Sequence, residues 1–386
     1  MLIWAITLTG ITANTLISPV LPDIVDDFGR SDAAAGPLVA AASLPGVVAA
    51  PVIGLMADRF GRRNVVVPCL AILGTTGLVS AIAPSYWVLV AARLLMGFGT
   101  AGLINLAVVL IGDHWEGSER VRQVGRNAAV LTSGLALLPL LSGALAALGG
   151  WRLSLAPSAL GLLTAAAAWM LLDNVRPPHA DLALGEQLRA AAGALRSPAM
   201  AATVASGFLI FVMIFGLFLT TLPVHLEEQF GLQAAARGAL LAVPSISSTL
   251  IALNLAGLRS RFGLRSLLVA GAALFGLSVL GVGLAPTVAA VVVGLLVYGV
   301  AEGATVPSLQ EVTAARAPSS QRGVVLAAWV AAVRLGQATG PLLFAALFSA
   351  IGTSATLVVG AAVAIPVLGL HAFTSMGTEP PGRAED

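Results

Sequence analysis

Long apolar runs alternate with short polar connections along the whole chain. Each run is long enough to cross a hydrocarbon layer of about 30 Å as a helix. Because backbone groups cannot be left unpaired in lipid, a helix is the expected form of each run. The pattern predicts an all-α membrane protein with twelve transmembrane helices. The predicted spans lie at about 2–21, 34–56, 65–83, 86–111, 123–148, 153–172, 199–223, 235–257, 265–285, 288–310, 324–349 and 353–373.

A polar segment divides the twelve predicted helices into two sets of six. We expect an N-terminal six-helix bundle over 1–172 and a C-terminal six-helix bundle over 198–375. Residues 173–197 carry two adjacent prolines and charges of both signs, which predicts a cytoplasmic linker with a short amphipathic helix. We expect residues 376–386 to form a disordered cytoplasmic tail.

The two halves carry an internal repeat. Aligning the loop sequence at Arg59 with the similar sequence at Arg261 superposes other landmarks without gaps. A constant register across several helices indicates a duplication, and two six-helix halves in the same orientation predict parallel repeats around a central cavity. The matching pairs are Phe28 with Phe230, Ala83 with Ala285, Gly97 with Gly299, Gly134 with Gly336, and Pro139 with Pro341.

Composition and charge place the chain in a membrane and orient it there. The chain is 58% hydrophobic and 10% charged, far from the balance of a soluble protein, and its mean hydropathy is +0.96. All 20 basic residues are arginine, and most lie on the side of the Asp58 loop. Because cytoplasmic loops hold the basic excess, that side and both termini are predicted to be cytoplasmic, in a bacterial-type cytoplasmic membrane whose lipids surround the helices. The net charge of +2 gives no indication of nucleic-acid binding.

The loop after the second predicted helix carries Gly54, Asp58, Arg59, Gly61 and Arg62 in the pattern Gly-x-x-x-Asp-Arg-x-Gly-Arg. It resembles the signature loop that joins helices 2 and 3 in the major facilitator superfamily. The resemblance covers nearly the whole chain. It implies the major facilitator fold, with twelve helices and a transport function.

The charges of this loop predict a cytoplasmic latch. A carboxylate can stabilise the positive end of a helix, and an arginine can pair with a nearby acid. The resemblance implies that Asp58 faces the start of helix 11 and that Arg62 pairs with Asp113, at the end of helix 4. Such contacts would hold the two halves in an outward-facing state. The alternative is that these charges form a solvated turn that only sets topology.

Two further helices carry family-like patterns. Leu89, Arg93 and Gly97 resemble the family pattern of helix 4, and Arg93 is expected to face the cavity or the bundle interior because an unpaired charge in hydrocarbon is costly. Its alternative role is a structural hydrogen bond to backbone carbonyls. Helix 5 resembles the antiporter motif, with Leu138 and Ser142 in place of two glycines. The alternative there is simple bending and close helix approach. The helix-bending positions are Gly134, Pro139 and Gly143, with Gly336, Gly340 and Pro341 in the second half.

Glu302 is the expected proton-coupling group, because it is the only acid well inside a predicted span. Arg334 on helix 11 is its basic counterpart, and the two lie roughly 14 and 18 Å from the cytoplasmic helix ends at 1.5 Å per residue. A permanent ion pair that joins helices 10 and 11 is the alternative. Arg93 and Asp23 are the other candidates for coupling. The candidates for the substrate cavity are Asn14, Ser18, Asn105, Phe211, Phe215 and Glu302.

These features predict a monomeric secondary active transporter. We expect proton-coupled efflux of small amphipathic or hydrophobic organic compounds by alternating access, with protons and a small molecule as its ligands. A sugar or metabolite exporter, or a proton-coupled uptake symporter of the same fold, is the alternative. The four histidines have no metal-ligand spacing, and neither a phosphate loop nor a nucleophile motif occurs, so a metal, a cofactor and an enzymatic activity are not expected.

Overall fold

The computed structural model describes residues 1–174, 197–316 and 322–373, and every regular element in those ranges is a helix. Eleven helical stretches there are long and apolar enough to cross a membrane. One of them, Gly117–Leu171, is 55 residues long and is interrupted at two adjacent glycines. It therefore makes two crossings, which confirms the predicted twelve. Most of the predicted linker and the whole predicted tail lie outside the described residues.

The spanning helices are numbered α1 to α12 in chain order. The first six are α1 Leu2–Asp27, α2 Asp32–Phe60, α3 Arg62–Ala81, α4 Tyr86–His114, α5 117–148 and α6 151–171. The second six are α7 Pro198–Phe230, α8 Ala234–Phe262, α9 Leu264–Gly283, α10 Val288–Arg316, α11 Arg322–Ile351 and α12 Thr353–Phe373.

Some helices continue beyond the apolar runs that predicted them. α1 was expected to end near 21, but after a 3-10 turn at Ser18–Val20 it continues as Leu21–Asp27. α5 was expected from 123 and begins at Gly117. Polar residues at a membrane face can remain helical because water solvates their side chains there. Hydropathy therefore located each crossing but not the ends of its helix.

Several helices change geometry within the membrane. Prolines explain some of these changes, since proline lacks the N–H that continues the hydrogen-bond ladder, whereas the wide π-helical turn of α7 has no proline. Carbonyls next to such interruptions are free to accept other hydrogen bonds. The segments are Ala35–Ser43 and Gly46–Phe60 in α2, Tyr86–Thr100 and Leu103–His114 in α4, Ala234–Ala242 and Pro244–Phe262 in α8, the π-helical Met213–Thr221 in α7, and the 3-10 turn Ala361–Val363 in α12.

Glycines with positive φ confirm the parallel repeat. They occur at helix junctions, where the chain needs a conformation that glycine adopts without steric cost. Every one in the first half except Gly117 has a counterpart at the same repeat position in the second half. The pairs are Gly29 (φ 58°) with Gly231 (φ 61°), Gly61 (φ 94°) with Gly263 (φ 76°), and Gly150 (φ 73°) with Gly352 (φ 79°).

Three apolar cores hold the helices together. One lies within the first half and includes Leu70 and Leu106, and another lies within the second half and includes Phe275 and Leu295. The third, here called the shared core, combines first-half residues such as Leu21 with Val224, Ala234, Ala345 and Phe348 of the second half. The two halves are therefore joined by buried apolar surface as well as by polar contacts.

The shared core lies toward one membrane face. The face that carries the α2–α3 junction at Gly61 is called the loop face, and the opposite face the far face. At the far face, an added Cβ at Gly238 of α8 would lie 2.3 Å from the carbonyl oxygen of Pro139. A Cβ at Gly36 of α2 would lie 2.6 Å from the carbonyl oxygen of Pro341. Such close backbone approach shows that the two halves are tightly packed at the far face.

Candidate functional site

Glu302 on α10 is partly accessible and has no hydrogen bond or ion pair with any residue that the structure describes. Its neighbours on α10 are engaged with other helices. One turn before it, the ring of Tyr298 stacks on Phe218 with centroids 4.7 Å apart, and a Cβ at Gly303 would lie 2.5 Å from the carbonyl oxygen of Ser248. α10 is thus fixed on both sides, whereas the carboxyl group of Glu302 has no hydrogen-bond or ion-pair partner in the described part of the chain.

Arg334 on α11 contacts the opposite half of the protein. Its Nη2 donates to the carbonyl oxygens of Thr100 and Ala101 over 3.3 and 3.4 Å, and its Nη1 donates to Oε1 of Gln337 over 3.3 Å. Both carbonyls lie where α4 is interrupted, between Thr100 and Leu103. No carboxylate of the described residues lies within 4.0 Å of this guanidinium, so the sequence-based alternative of a Glu302–Arg334 ion pair is not formed in this state.

Arg93 on α4 is fully enclosed, with 1% of its surface exposed. It donates to the carbonyl oxygens of Leu38 and, over 2.8 Å, of Ala13, and to Oδ1 of Asn14 over 2.9 Å. The Asn14 amide also donates to Oγ of Ser43 over 3.3 Å. Arg93 therefore joins α4 to α1 and α2 through neutral acceptors. This agrees with the alternative role given from the sequence, a structural hydrogen bond to backbone carbonyls.

The remaining cavity candidates occupy three different environments. Ser18 is completely buried and donates over 2.7 Å to the carbonyl oxygen of Leu219 on α7, which ties the halves together. Asn105 on α4 is exposed. Phe211 and Phe215 are half-buried, and their ring centroids lie 6.2 Å apart. The ring of Trp329 on α11 meets Phe211 edge-on at 6.4 Å.

The latch residues of the loop face lie together. The side chain of Arg62 is largely buried, and it contacts Asp58 through Nη1 and Asp113 through Nε over 2.9 Å. Gly61, at φ 94°, makes the junction that places Arg62 at the start of α3. All of these residues belong to the first half. The start of α11, which Asp58 is predicted to face, adjoins residues outside the description, so that contact stays a prediction.

The other two residues of the loop motif have no part in this ion pairing. An added Cβ at Gly54 meets nothing within 4 Å, and the Arg59 guanidinium lies 5.6 Å from the centroid of the Phe60 ring.

The helix-bending positions are contact points between helices. A Cβ at Gly134 of α5 would meet Leu8 and Ile11 of α1, and one at Gly143 would lie 2.6 Å from the carbonyl oxygen of Ala234 on α8. In the second half, Gly336 and Gly340 of α11 lie against the backbone of α7. α5 and α11 thus pack closely with their neighbours, as small residues permit.

Sequence reasoning missed the role of Arg237 at the far face. This α8 residue is 0% exposed. It contacts Asp23 of α1 through Nη2 and Glu227 of α7 through Nη1 over 3.1 Å, and its Nε donates to the carbonyl oxygen of Pro19 over 2.8 Å. The available signal was an arginine one turn inside an apolar helix, which requires partners. Asp23, a coupling candidate from the sequence, is thereby placed in a contact between the halves.

Comparison with known families agrees with this architecture. The model of the Major Facilitator Superfamily matches residues 3–258 and again residues 204–386, so it covers both halves of the chain. The chain belongs to the major facilitator superfamily. It is therefore an integral membrane transporter, and its substrate is a small molecule.

Relatives within the superfamily include named exporters and resistance proteins. The chain is 26% identical to the bacillibactin exporter of Bacillus subtilis (strain 168) over 351 residues, which cover 87% of this chain and 86% of the relative. It is 28% identical to the class C tetracycline resistance protein of Escherichia coli over 350 residues, with 87% and 86% covered.

Solved structures of other superfamily members share the fold. A bacterial homolog to the human lysosomal transporter Spinster, in an inward-facing and occupied conformation, superposes with a TM-score of 0.81 at 17% identity, covering 97% of this chain and 96% of the other. The human organic anion transporter MFSD10 gives a TM-score of 0.71 at 20% identity, with 96% and 98% covered. At these identities the likeness concerns the fold alone.

Proposed function

We propose that this transporter exports small amphipathic organic compounds in exchange for protons, by alternating access between its two halves. The observation that carries the proposal is Glu302, an acid well inside α10 whose carboxyl group has no hydrogen bond or ion pair with the described residues. Intramembrane acids are rare and typically mark ion pathways. The names of the relatives support export, since one is an exporter and another a resistance protein.

The proposed orientation follows from the arginines. With the arginine-rich loop face in the cytoplasm, both termini are cytoplasmic and the far face is external. The packed far face, with Arg237 between Asp23 and Glu227, then closes the pathway to the outside. We propose that the protein works as a monomer, because each chain contains both halves of the pathway.

The proposed coupling step is a change in the surroundings of Glu302. Low-dielectric surroundings favour the neutral carboxyl group, whereas a nearby guanidinium favours the carboxylate. In this state Arg334 is bonded to the carbonyls of Thr100 and Ala101 instead of to Glu302. When α11 moves away from α4, Arg334 loses those acceptors and becomes free to pair with Glu302. Glu302 would then release on one side the proton that it bound on the other.

The experiment uses purified protein in proteoliposomes with an acidic lumen. A growth screen of expressing cells against toxic compounds, including tetracycline, first supplies a transported compound. The wild type should accumulate it as protons leave the lumen. Glu302→Gln retains the shape but cannot titrate, so it should lose accumulation while counterflow of labelled compound continues.

The matched control is Glu311→Gln, on the same helix, whose carboxylate contacts Arg259 near the loop face. It should accumulate the compound like the wild type. Accumulation by Glu302→Gln driven by the pH gradient would assign coupling elsewhere. Accumulation in the opposite direction, together with the proton, would indicate the alternative of an uptake symporter.

A further inference from the structure

The central part of the membrane domain has more positive than negative groups. Of the described residues, Arg93, Arg334 and Glu302 are the charged groups well inside the helices. Even with Glu302 ionised, one positive charge is left over, and with Glu302 protonated two are left. An uncompensated charge in a low-dielectric region is costly, so this excess calls for an anion.

The two arginines differ in how well they are satisfied. Arg93 is 1% exposed and has three acceptors, two of them at 2.8 and 2.9 Å. Arg334 is partly accessible, and its acceptors lie at 3.3 to 3.4 Å. Bonds from a cation to a strong acceptor are usually shorter, about 2.7 to 2.9 Å. Arg334 is therefore the group with donor capacity left for a ligand.

The position of Arg334 makes that capacity available to a transported compound. Its guanidinium bridges the two halves, from α11 to the interrupted turn of α4. The facing position on α2 is Gly46, where even a Cβ would lie 3.2 Å from Cδ of Arg334 and 3.3 Å from its Nε. The stem of Arg334 therefore packs directly against the backbone of α2, and any side chain at this position would push it aside.

We infer that the transported compound carries an anionic oxygen group, such as a carboxylate or a phosphate, and that Arg334 binds it. The planar guanidinium presents paired donors that match two such oxygens. The carbonyls of Thr100 and Ala101 hold Arg334 in place until the anion arrives. This inference rests on the proposed function, whose site it shares.

The test compares two carboxylic acids with the uncharged amides that have the same carbon skeletons. The probes are 2-naphthoate with 2-naphthamide and dodecanoate with dodecanamide, and their binding to purified full-length protein is measured by calorimetry. The wild type should bind at least one acid about tenfold or more tighter than its amide, the lower end for a hydrogen bond to a charged group. Arg334→Gln should remove that preference while amide binding persists.

Two further variants keep the test decisive. Arg334→Lys retains the charge without the planar fork and should keep part of the preference, and it serves in place of Arg334→Gln if that variant does not fold. Arg259→Gln, which removes an arginine near the loop face, should bind both acids like the wild type. The inference is overturned if neither acid is preferred over its amide, or if Arg334→Gln keeps the preference.

The outcomes separate this inference from the proposed function. Arg334-dependent binding of an acid without any proton-driven accumulation contradicts proton-coupled export and leaves the anion site standing. Proton-driven accumulation that is equal for acids and for uncharged compounds, and unchanged in Arg334→Gln, contradicts the anion site alone.

Discussion

The guanidinium of Arg237 on α8 contacts the carboxylate of Asp23 on α1 and thereby joins the two halves at the far face. Since Arg237 is completely buried, its removal would leave Asp23 and Glu227 without their cation. The two carboxylates would then face each other without the guanidinium that joins the halves. The far face should therefore open more often in a variant that lacks Arg237.

The first prediction concerns Arg237→Gln. In a Cys69→Ser background with Ser18→Cys, a membrane-impermeant maleimide added from outside should label the buried position 18 at least about tenfold faster when Arg237 is replaced. Arg152→Gln is the control, because Arg152 pairs over 2.8 Å with Asp27 of its own half. Equal labelling rates in the Arg237 and Arg152 variants would show that the Arg237 contact does not hold this face closed.

The second prediction concerns the close approach of α5 and α8. A Cβ at Gly238 would lie 2.3 Å from the carbonyl oxygen of Pro139, and neither backbone can move without separating the helices. Gly238→Ala should therefore increase labelling of the same Ser18→Cys position severalfold. Gly257→Ala, on the same helix, meets nothing within 4 Å and should leave labelling unchanged. The idea fails if the two alanine variants behave alike.

The third prediction concerns the latch of the loop face. Asp58→Asn and Asp113→Asn each remove a carboxylate from the largely buried Arg62. Both should lower initial transport rates by about tenfold, because a buried guanidinium that loses a partner disturbs the packing of α2, α3 and α4. Insertion into the membrane should persist, as measured by the amount of protein in the membrane fraction.

The control for the latch is Arg63→Gln. Arg63 follows Arg62 directly, but its guanidinium lies 4.9 Å from the centroid of the Trp169 ring, away from the two acids. This variant should transport at close to the wild-type rate. Wild-type rates in both carboxylate variants would mean that the cluster serves topology alone.

The fourth prediction separates the roles of Arg93 and Arg334. Lysine retains the charge, but its compact ammonium does not reproduce the widely spaced, planar donors of the guanidinium. Arg93→Lys should therefore lower the melting temperature in detergent by at least about 5 °C, whereas Arg334→Lys, whose acceptors are distant, should change it much less. If Arg93→Lys melts like the wild type yet loses proton-driven accumulation, Arg93 acts in coupling.

Sequence reasoning identified the fold because lipid imposes a strong constraint on the pattern. Twelve apolar runs and a gapless repeat were sufficient. Gly29 and Gly231, at equivalent positions of the repeat, even share the same positive-φ backbone conformation. The interruption of α4 and the π-helical turn of α7 were not predicted, since they depend on tertiary packing that leaves no local pattern.

The candidate site was predictable to a smaller extent. Glu302 stood out as a lone acid in an apolar run, which needs only local sequence. The contacts of Arg237 could not be read in this way, because its acceptors come from α1 and α7, and no spacing along α8 indicates which helices lie beside it. For the same reason the sequence could not decide whether Arg93 would meet an acid or, as observed, neutral acceptors.

The shared core makes the balance between the two transport states sensitive to temperature. Val224, Ala345 and Phe348 are buried against apolar residues of the first half, so opening the far face brings this surface into contact with water. Hydration of apolar surface carries a large positive heat capacity, and the attraction between apolar groups weakens on cooling. Cooling should therefore shift the empty transporter toward the state that is open at the far face.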